Sequence, residues 1–293
     1  MSLSTSSAPH RSSASLGASQ FNPFISWLLI LPLLVTFTLG FIYPVAKLMA
    51  LSFSTGGETY LRLVEDSLYF SVLLSTVGTA AAVTFLCLAL GYPVAYAMAR
   101  LKGLGALVTA ACVFVPLWTS VLIRSYAWIV LLQRNGILND IMLETGFAER
   151  PLKLLYTHGS VILGMTHILL PFAILPIYGN LKTLPADLAR AAANLGAGRL
   201  DTFLRVTLPL SMPGIYAGAI LCFVLALGFY ITPALLGGPG SLLMATLIGQ
   251  QTTVVLDWPF AAALSTTLLC VTLLVVLICR RAFSLTKGST YVH

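Results

Sequence analysis

Residues 187–214 read DLARAAANLGAGRLDTFLRVTLPLSMPG. Two short helices and a glycine joint are legible in this stretch. Pro185 just upstream suits a first helical turn, and Asp187 places an anion at the positive helix end. Leu184, Leu188, Ala191 and Leu195 follow at helical spacing and form one apolar face. Gly196 stands where a left-handed cap is wanted. A second helix is expected from Arg199 to Leu208, with Leu200, Phe203, Leu204 and Leu208 on its apolar face. Pro209 is expected to stop it, and Pro213 with Gly214 to open the next element. Such a hairpin, with the small residues Ala189, Ala191, Ala192 and Ala193, has two physical readings. It slots into a groove on another protein, or it lies on a lipid surface.

The sequence on either side decides what this hairpin hangs from. Charged side chains are costly in hydrocarbon, so long uncharged gaps mark membrane crossings. Such gaps place a first span at Phe24 to Ala50 and a second in 67–99. A third runs from 103, past Arg124, to Leu132. A fourth lies in 154–181, a fifth from Gly214 to about Pro233, and a sixth in 258–279. Gly237, Gly238, Pro239 and Gly240 break any helix after the fifth. Leu242 to Val255 contains Gln250, Gln251, Thr252 and Thr253 and is too short and polar for a lipid-facing span. It is expected to be an extracytoplasmic loop or interfacial segment.

Six spans put both termini on one side. That side carries Arg11, Arg100, Lys102, Lys182, Arg190, Arg199, Arg205, Arg280, Arg281 and Lys287, against only Asp187 and Asp201. The other side carries seven acids, from Glu58 to Asp257, against Arg62, Arg134, Arg150 and Lys153. The positive-inside rule makes the basic side, and with it the hairpin, cytoplasmic. The first apolar run is longer than a signal-peptide core and no clear cleavage site follows, so it reads as an uncleaved anchor. The expected organisation is a flexible cytoplasmic tail (1–22), a six-span domain (23–282, with the loop at about 181–212) and a cytoplasmic tail (283–293).

Composition agrees. The 293 residues are 58% hydrophobic and 9% charged, and the mean hydropathy is +0.94. Soluble domains carry roughly 25% charged residues. Most soluble enzymes and disordered proteins are thereby excluded. The net charge of +7 tempts a nucleic-acid reading, but the cations are spread along an apolar chain and read better as a topology signal. Cys87, Cys112, Cys222, Cys270 and Cys279 all lie in apolar stretches without a metal-ligand spacing. They are expected to be small core residues, with no metal site.

The stretch Asp187 to Gly214 resembles the cytoplasmic loop motif of binding-protein-dependent ABC importer permeases. Ala191, Ala192, Gly196, Ala197, Phe203, Leu208, Pro209 and Pro213 fall on its expected positions. Arg190 stands where the motif opens with an acid, and Asn194 where an Asp is common. Val115 to Asp140 and Gly228 to Ile248 look like the corresponding segments of spermidine and putrescine permeases. The resemblance implies an all-α polytopic membrane protein with the type I ABC importer permease fold, its six transmembrane helices bearing a helix–Gly–helix coupling loop. It implies a bacterial inner-membrane location and half of a translocation pore for a small organic solute, a polyamine or related compound. It also implies partners: a second permease subunit, homologous or identical, two ATPase subunits that bind ATP and Mg, and a soluble substrate-binding protein. This chain has no GxxxxGK[ST] phosphate loop, since Lys287-Gly288-Ser289-Thr290 lacks the upstream glycine, so any ATP is expected on another chain.

Residues for a substrate path are fewer. Arg124 lies inside an apolar stretch; it lines a path or snorkels to headgroups. Trp118, Tyr126, Trp128 and Tyr230 cradle a cation or form the interfacial aromatic belt, and Asp257 with Trp258 at the start of the last span is open to the same two readings. His158 is expected at an outer end and His167 as a packed core residue. No nucleophile motif or catalytic set is visible. A secondary transporter or channel is the alternative, but it would carry ionisable acids within its spans, and none is seen. A polytopic membrane enzyme stands lowest.

Overall fold

Proline and glycine punctuate a chain that is otherwise helical nearly throughout. The structure, a computed structural model, describes residues 23–289. The expected tail 1–22 and residues 290–293 lie outside the described residues. No strand occurs among the described residues.

The chain up to Leu48 forms a unit of its own. Helix α1 (Pro23–Phe37) passes through a wide π-turn (Thr38–Ile42) into α2 (Tyr43–Ser52). The π-turn ends two residues before Pro44, and the Tyr43 N–H reaches back to the Thr38 carbonyl. Proline lacks an N–H, and its ring crowds the carbonyl four residues back. A turn widened by one residue relieves that clash without ending the helix.

The second unit begins at Met49. Gly56 and Gly57, at φ +65° and +95°, turn the chain into the short α3 (Glu58–Glu65). Asp66 then caps α4 (Ser67–Arg100), its carboxylate accepting the Leu68 N–H at 2.9 Å. The next expected span is not one helix. α5 (Leu104–Trp118) and α6 (Val121–Leu132) meet at a 102° bend. Pro116 sits in the last turn of α5, and the Ser120 hydroxyl accepts the Leu122 N–H to start a new helix. α7 (Ile137–Glu144) follows. Buried Asn139 ties that loop together, donating to the Gln133 and Leu152 carbonyls and accepting the Leu152 N–H.

α8 (His158–Thr183) is the centre of this unit. It packs against α4 and against α11 (Leu208–Leu227), which also pack on each other. Small residues allow the close approach, as in membrane bundles generally. A Cβ on Gly214 would come within 2.7 Å of the Asn180 Cβ, and one on Gly218 within 3.0 Å of the Ala173 carbonyl oxygen. Val83, Cys87, Val161, Met165, Leu169 and Cys222 fill the core between these helices. Among the cysteines only Cys87 and Cys222 are buried. Cys112 and Cys270 face outward, against the expectation of core positions, because the outer faces of their helices are as apolar as the inner ones.

Between α8 and α11 lie α9 (Ala186–Asn194) and α10 (Arg199–Thr202). The expected stop at Pro209 does not occur. A second π-turn, Phe203–Thr207, leads straight into α11, with the Leu208 N–H on the Phe203 carbonyl. This is the device used before Pro44, and it makes Arg199–Leu227 one continuous span. Pro185 is the residue before α9 rather than its first turn.

α11 ends at Leu227, earlier than Pro233, and α12 (Ile231–Leu236) is a separate turn. Residues 242–255, expected as a loop or interfacial segment, are mostly helical. α13 (Met244–Gln250) continues as a π-turn, Gln251–Val255. Its Met244 and Leu247 pack in a core with Val72, Phe260 and Leu264, and the Met244 N–H donates to Thr76 Oγ1 at 2.9 Å. The polar residues are absorbed locally: Thr252 and Thr253 hydroxyls donate to the Ile248 and Gly249 carbonyls. The last helix, α14 (Trp258–Ser289), carries the final span and runs on through residue 283, where a tail was expected to begin. Among the described residues, five helices are long and apolar enough to cross a membrane, and the bent α5–α6 pair counts as a sixth if taken as one span.

Candidate functional site

The loop of residues 186–207 is held together by its own backbone. Leu195 closes α9; the Gly196 N–H bonds the Ala193 carbonyl and the Ala197 N–H bonds the Ala192 carbonyl, both at 3.0 Å. These two bonds make a Schellman cap, which requires a left-handed residue between them. Gly196 supplies it at φ +85°. Gly198 then precedes α10, its carbonyl accepting the Thr202 N–H at 2.9 Å.

One aromatic anchors the loop to the spans. Phe203 meets the rings of Tyr92 and Tyr96 edge-on, with centroids 5.8 and 5.5 Å away. Tyr92 in turn hydrogen-bonds Ser211 at 2.9 Å. The two tyrosines and Ser211 were missed in the sequence. Their signal was the i, i+4 spacing at the end of α4, which puts both rings on one helix face.

Four of the loop's five charges are paired within it. Arg190 lies 3.3 Å from Asp187, one turn back, and Arg205 lies 3.6 Å from Asp201. Both pairs are exposed, so each contributes little to stability. They do lower the net charge that the loop presents. The expected apolar face divides. Leu184 and Leu188 turn toward Tyr96 and Arg100 at a small cavity. Leu195 and Leu200, 89% and 71% exposed, project from the tip. Ala191 is exposed, Ala192 and Ala197 are half-buried, and Leu208, Pro209 and Pro213 lie along the start of α11.

The path candidates fall into two places. Trp118 ends α5 and is 93% exposed. Arg124, Tyr126 and Trp128 follow on α6. Arg124 is half-buried, and its Nε and Nη1 are shielded from solvent with no hydrogen-bond partner among the described residues. The Trp128 indole N–H donates to His167 Nδ1 at 3.2 Å, the rings edge to face. His167 is exposed, not packed in the core, because it faces α6 across an open side of α8. His158 opens α8 and meets Thr79 Oγ1 at 3.3 Å. Tyr230 precedes α12, which packs on α6, and its ring covers Gly249. Ser125 and Thr232 join α6 to α12 by a buried hydrogen bond of 3.0 Å. Asp257 is engaged elsewhere: it pairs with Arg62 at 3.2 Å and accepts the Phe260 N–H at the start of α14. Among the described residues no cluster of three or more metal-ligating side chains occurs.

Residues 91–281 match the family described as binding-protein-dependent transport system inner membrane component. The spermidine/putrescine transport system permease protein PotB of Escherichia coli (strain K12) is 40% identical over 225 residues, 77% of this chain and 82% of that protein. The protein of the same name from Haemophilus influenzae is 36% identical over 225 residues, covering 77% and 78%. Among solved structures, a bacterial ABC transporter that imports the acidic polysaccharide alginate has a chain that superposes with a TM-score of 0.70 at 16% identity. The match covers 88% of this chain and 94% of that one. At that identity the likeness speaks for the fold.

Proposed function

The chain belongs to the family of binding-protein-dependent transport system inner membrane components, and on that premise we propose that it is a permease subunit of an ATP-driven polyamine importer. It forms half of a pore in the inner membrane of a bacterium. A second permease subunit, homologous or identical, supplies the other half. Two ATPase subunits bind and hydrolyse ATP with Mg, and a soluble binding protein delivers spermidine, putrescine or a related compound. The chain itself performs no bond-making chemistry. The observation that carries this reading is the 40% identity over 225 residues to a spermidine/putrescine permease.

The geometry supplies a means of coupling. The loop of residues 186–207 projects the apolar pair Leu195 and Leu200 toward the cytoplasm, where an ATPase groove can take it. Its second half, α10, runs without a break into α11. A displacement of the docked tip is therefore delivered along a continuous helix into the core that α11 shares with α4 and α8. Rigid elements moving against one another are the usual means of alternating access. No carboxylate lies at the centre of a span, so the selection of a polycation falls to aromatics such as Trp118 and Tyr230, to backbone carbonyls, to the companion permease and to the binding protein.

The test is reconstitution of the chain with its companion permease, ATPase and binding protein in liposomes. Spermidine or putrescine is expected to stimulate ATP hydrolysis and to accumulate inside in an ATP-dependent way. Stimulation by another solute but by no polyamine would remove the polyamine assignment and leave the permease role standing.

A further inference from the structure

At the cytoplasmic ends of α4 and α8, beneath the coupling loop, lies a cavity of about 150 Å³. Arg100 and Lys182 form its polar rim, beside Tyr96. Leu181, Leu184 and Leu210 form its apolar wall. No carboxylate lines it. Neither cation has an acidic partner among the described residues, whereas Arg190 and Arg205 in the adjoining loop each have one. Both are held by aromatic faces instead. The Arg100 guanidinium lies 5.3 Å from the Tyr96 ring centre, and Lys182 Nζ lies 5.7 Å from that of Tyr178. A ring beneath a cation fixes its position and leaves its outward N–H groups unsatisfied.

Depth decides what these N–H groups meet. Arg100 is the last residue of α4, and Lys182 is the last but one of α8. Apolar spans begin immediately beyond both. On the orientation set by the positive-inside rule, this is the headgroup layer of the cytoplasmic leaflet. The cavity holds on the order of five water volumes, enough for a phosphodiester and too little for a peptide segment. A mixed lining, cationic at the rim and aliphatic at the wall, fits an amphiphile whose chains stay in the bilayer. Basic pockets between spans on the cytoplasmic side take anionic lipid headgroups by this chemistry.

We propose that Arg100 and Lys182 form a binding site for one anionic phospholipid headgroup, wedged between the spans and the coupling loop. The site adjoins Pro185, Leu188 and Thr207 of the loop, so an occupied headgroup props the loop from below. This inference rests on the orientation of the chain and not on the identity of the solute carried.

The experiment uses the assembled transporter in nanodiscs of phosphatidylcholine with or without phosphatidylglycerol, read by native mass spectrometry after mild delipidation. The wild-type complex is expected to retain one phosphatidylglycerol saturably. Binding should weaken about 5-fold in Arg100→Gln or Lys182→Gln and about 30-fold in the pair. The charge-preserving pair Arg100→Lys and Lys182→Arg should keep binding within a few-fold, and it carries the test if the neutral pair fails to assemble. Two results overturn the proposal: phosphatidylglycerol retained equally by the neutral single variants, or inorganic phosphate bound as tightly as the lipid. Neither depends on whether polyamines stimulate hydrolysis, so failure here and failure of the solute assignment are distinguishable.

Discussion

Gly196 illustrates how much a single residue can decide. Its φ of +85° lies where an L-residue costs about 1–2 kcal/mol. A Cβ there meets nothing within 4 Å. A substitution at 196 therefore tests backbone conformation alone, without steric conflict. Gly196→Val is expected to break the paired bonds from residues 196 and 197 to the Ala193 and Ala192 carbonyls and so misdirect α10. Polyamine-stimulated ATP hydrolysis by the reconstituted complex should fall at least 10-fold. Gly196→Asn should keep most of it, since asparagine tolerates the left-handed region. Equal activity in the two variants would mean that the left-handed cap is not what the coupling needs. The glycine was legible at its position because only its spacing from the preceding leucines was needed. The partner of Arg190 was not: an i, i−3 pair with Asp187 is one of several rotamer outcomes, and only coordinates choose among them.

At the scale of elements, legibility follows whether a signal is local. α4, α8 and α14 were legible from charge gaps, because the cost of charge in hydrocarbon acts residue by residue. Helix continuity was not. Pro209 and Pro116 carry the same local signal. One is absorbed by a π-turn inside a continuous span; the other precedes a 102° bend. What differs is the surrounding packing: α11 is pinned against α8 through Gly214 and Gly218, whereas α6 is drawn onto α12 and α8 through Ser125 and Trp128. α13 was missed for a related reason. The threonines that follow it look unfit for an apolar setting until their hydroxyls are seen bonding carbonyls of the same segment. The coupling loop is likewise an element tied to the spans through the edge contacts of Phe203 with Tyr92 and Tyr96. Aromatic pairs of this kind contribute about 0.5–1.5 kcal/mol each. Phe203→Ala is therefore expected to loosen the loop by about 1–3 kcal/mol and to weaken ATPase binding about 10-fold or more, measured by titrating the purified ATPase onto the permease pair in nanodiscs. Phe203→Tyr keeps the ring and should bind within a few-fold of wild type. Undiminished affinity in Phe203→Ala would place the docking energy elsewhere.

The whole molecule is a case in which very few charges specify orientation. The ten bases assigned to the cytoplasmic side face two acids there, Asp187 and Asp201, and both of those are tied up by arginines of the same loop. Seven acids against four bases are assigned to the other side. Each cation at the cytoplasmic surface gains about 1 kcal/mol from anionic lipid, so ten of them outweigh any local exception such as Arg124. The coupling loop, the lipid site and the polyamine path all inherit their direction from this asymmetry, which makes it the proposition most worth testing. Two exposed positions report it: Leu195 at the tip of the loop and Glu149 in the segment after α7. In a background with the five native cysteines replaced by serine or alanine, Glu149→Cys is expected to react with a membrane-impermeant maleimide in intact spheroplasts. Leu195→Cys should react only after permeabilisation, and assembly with the ATPase should then protect it. The reverse pattern would turn the molecule over, place the helix–Gly–helix loop where no ATPase can reach it, and remove the basis for both the coupling route and the headgroup site.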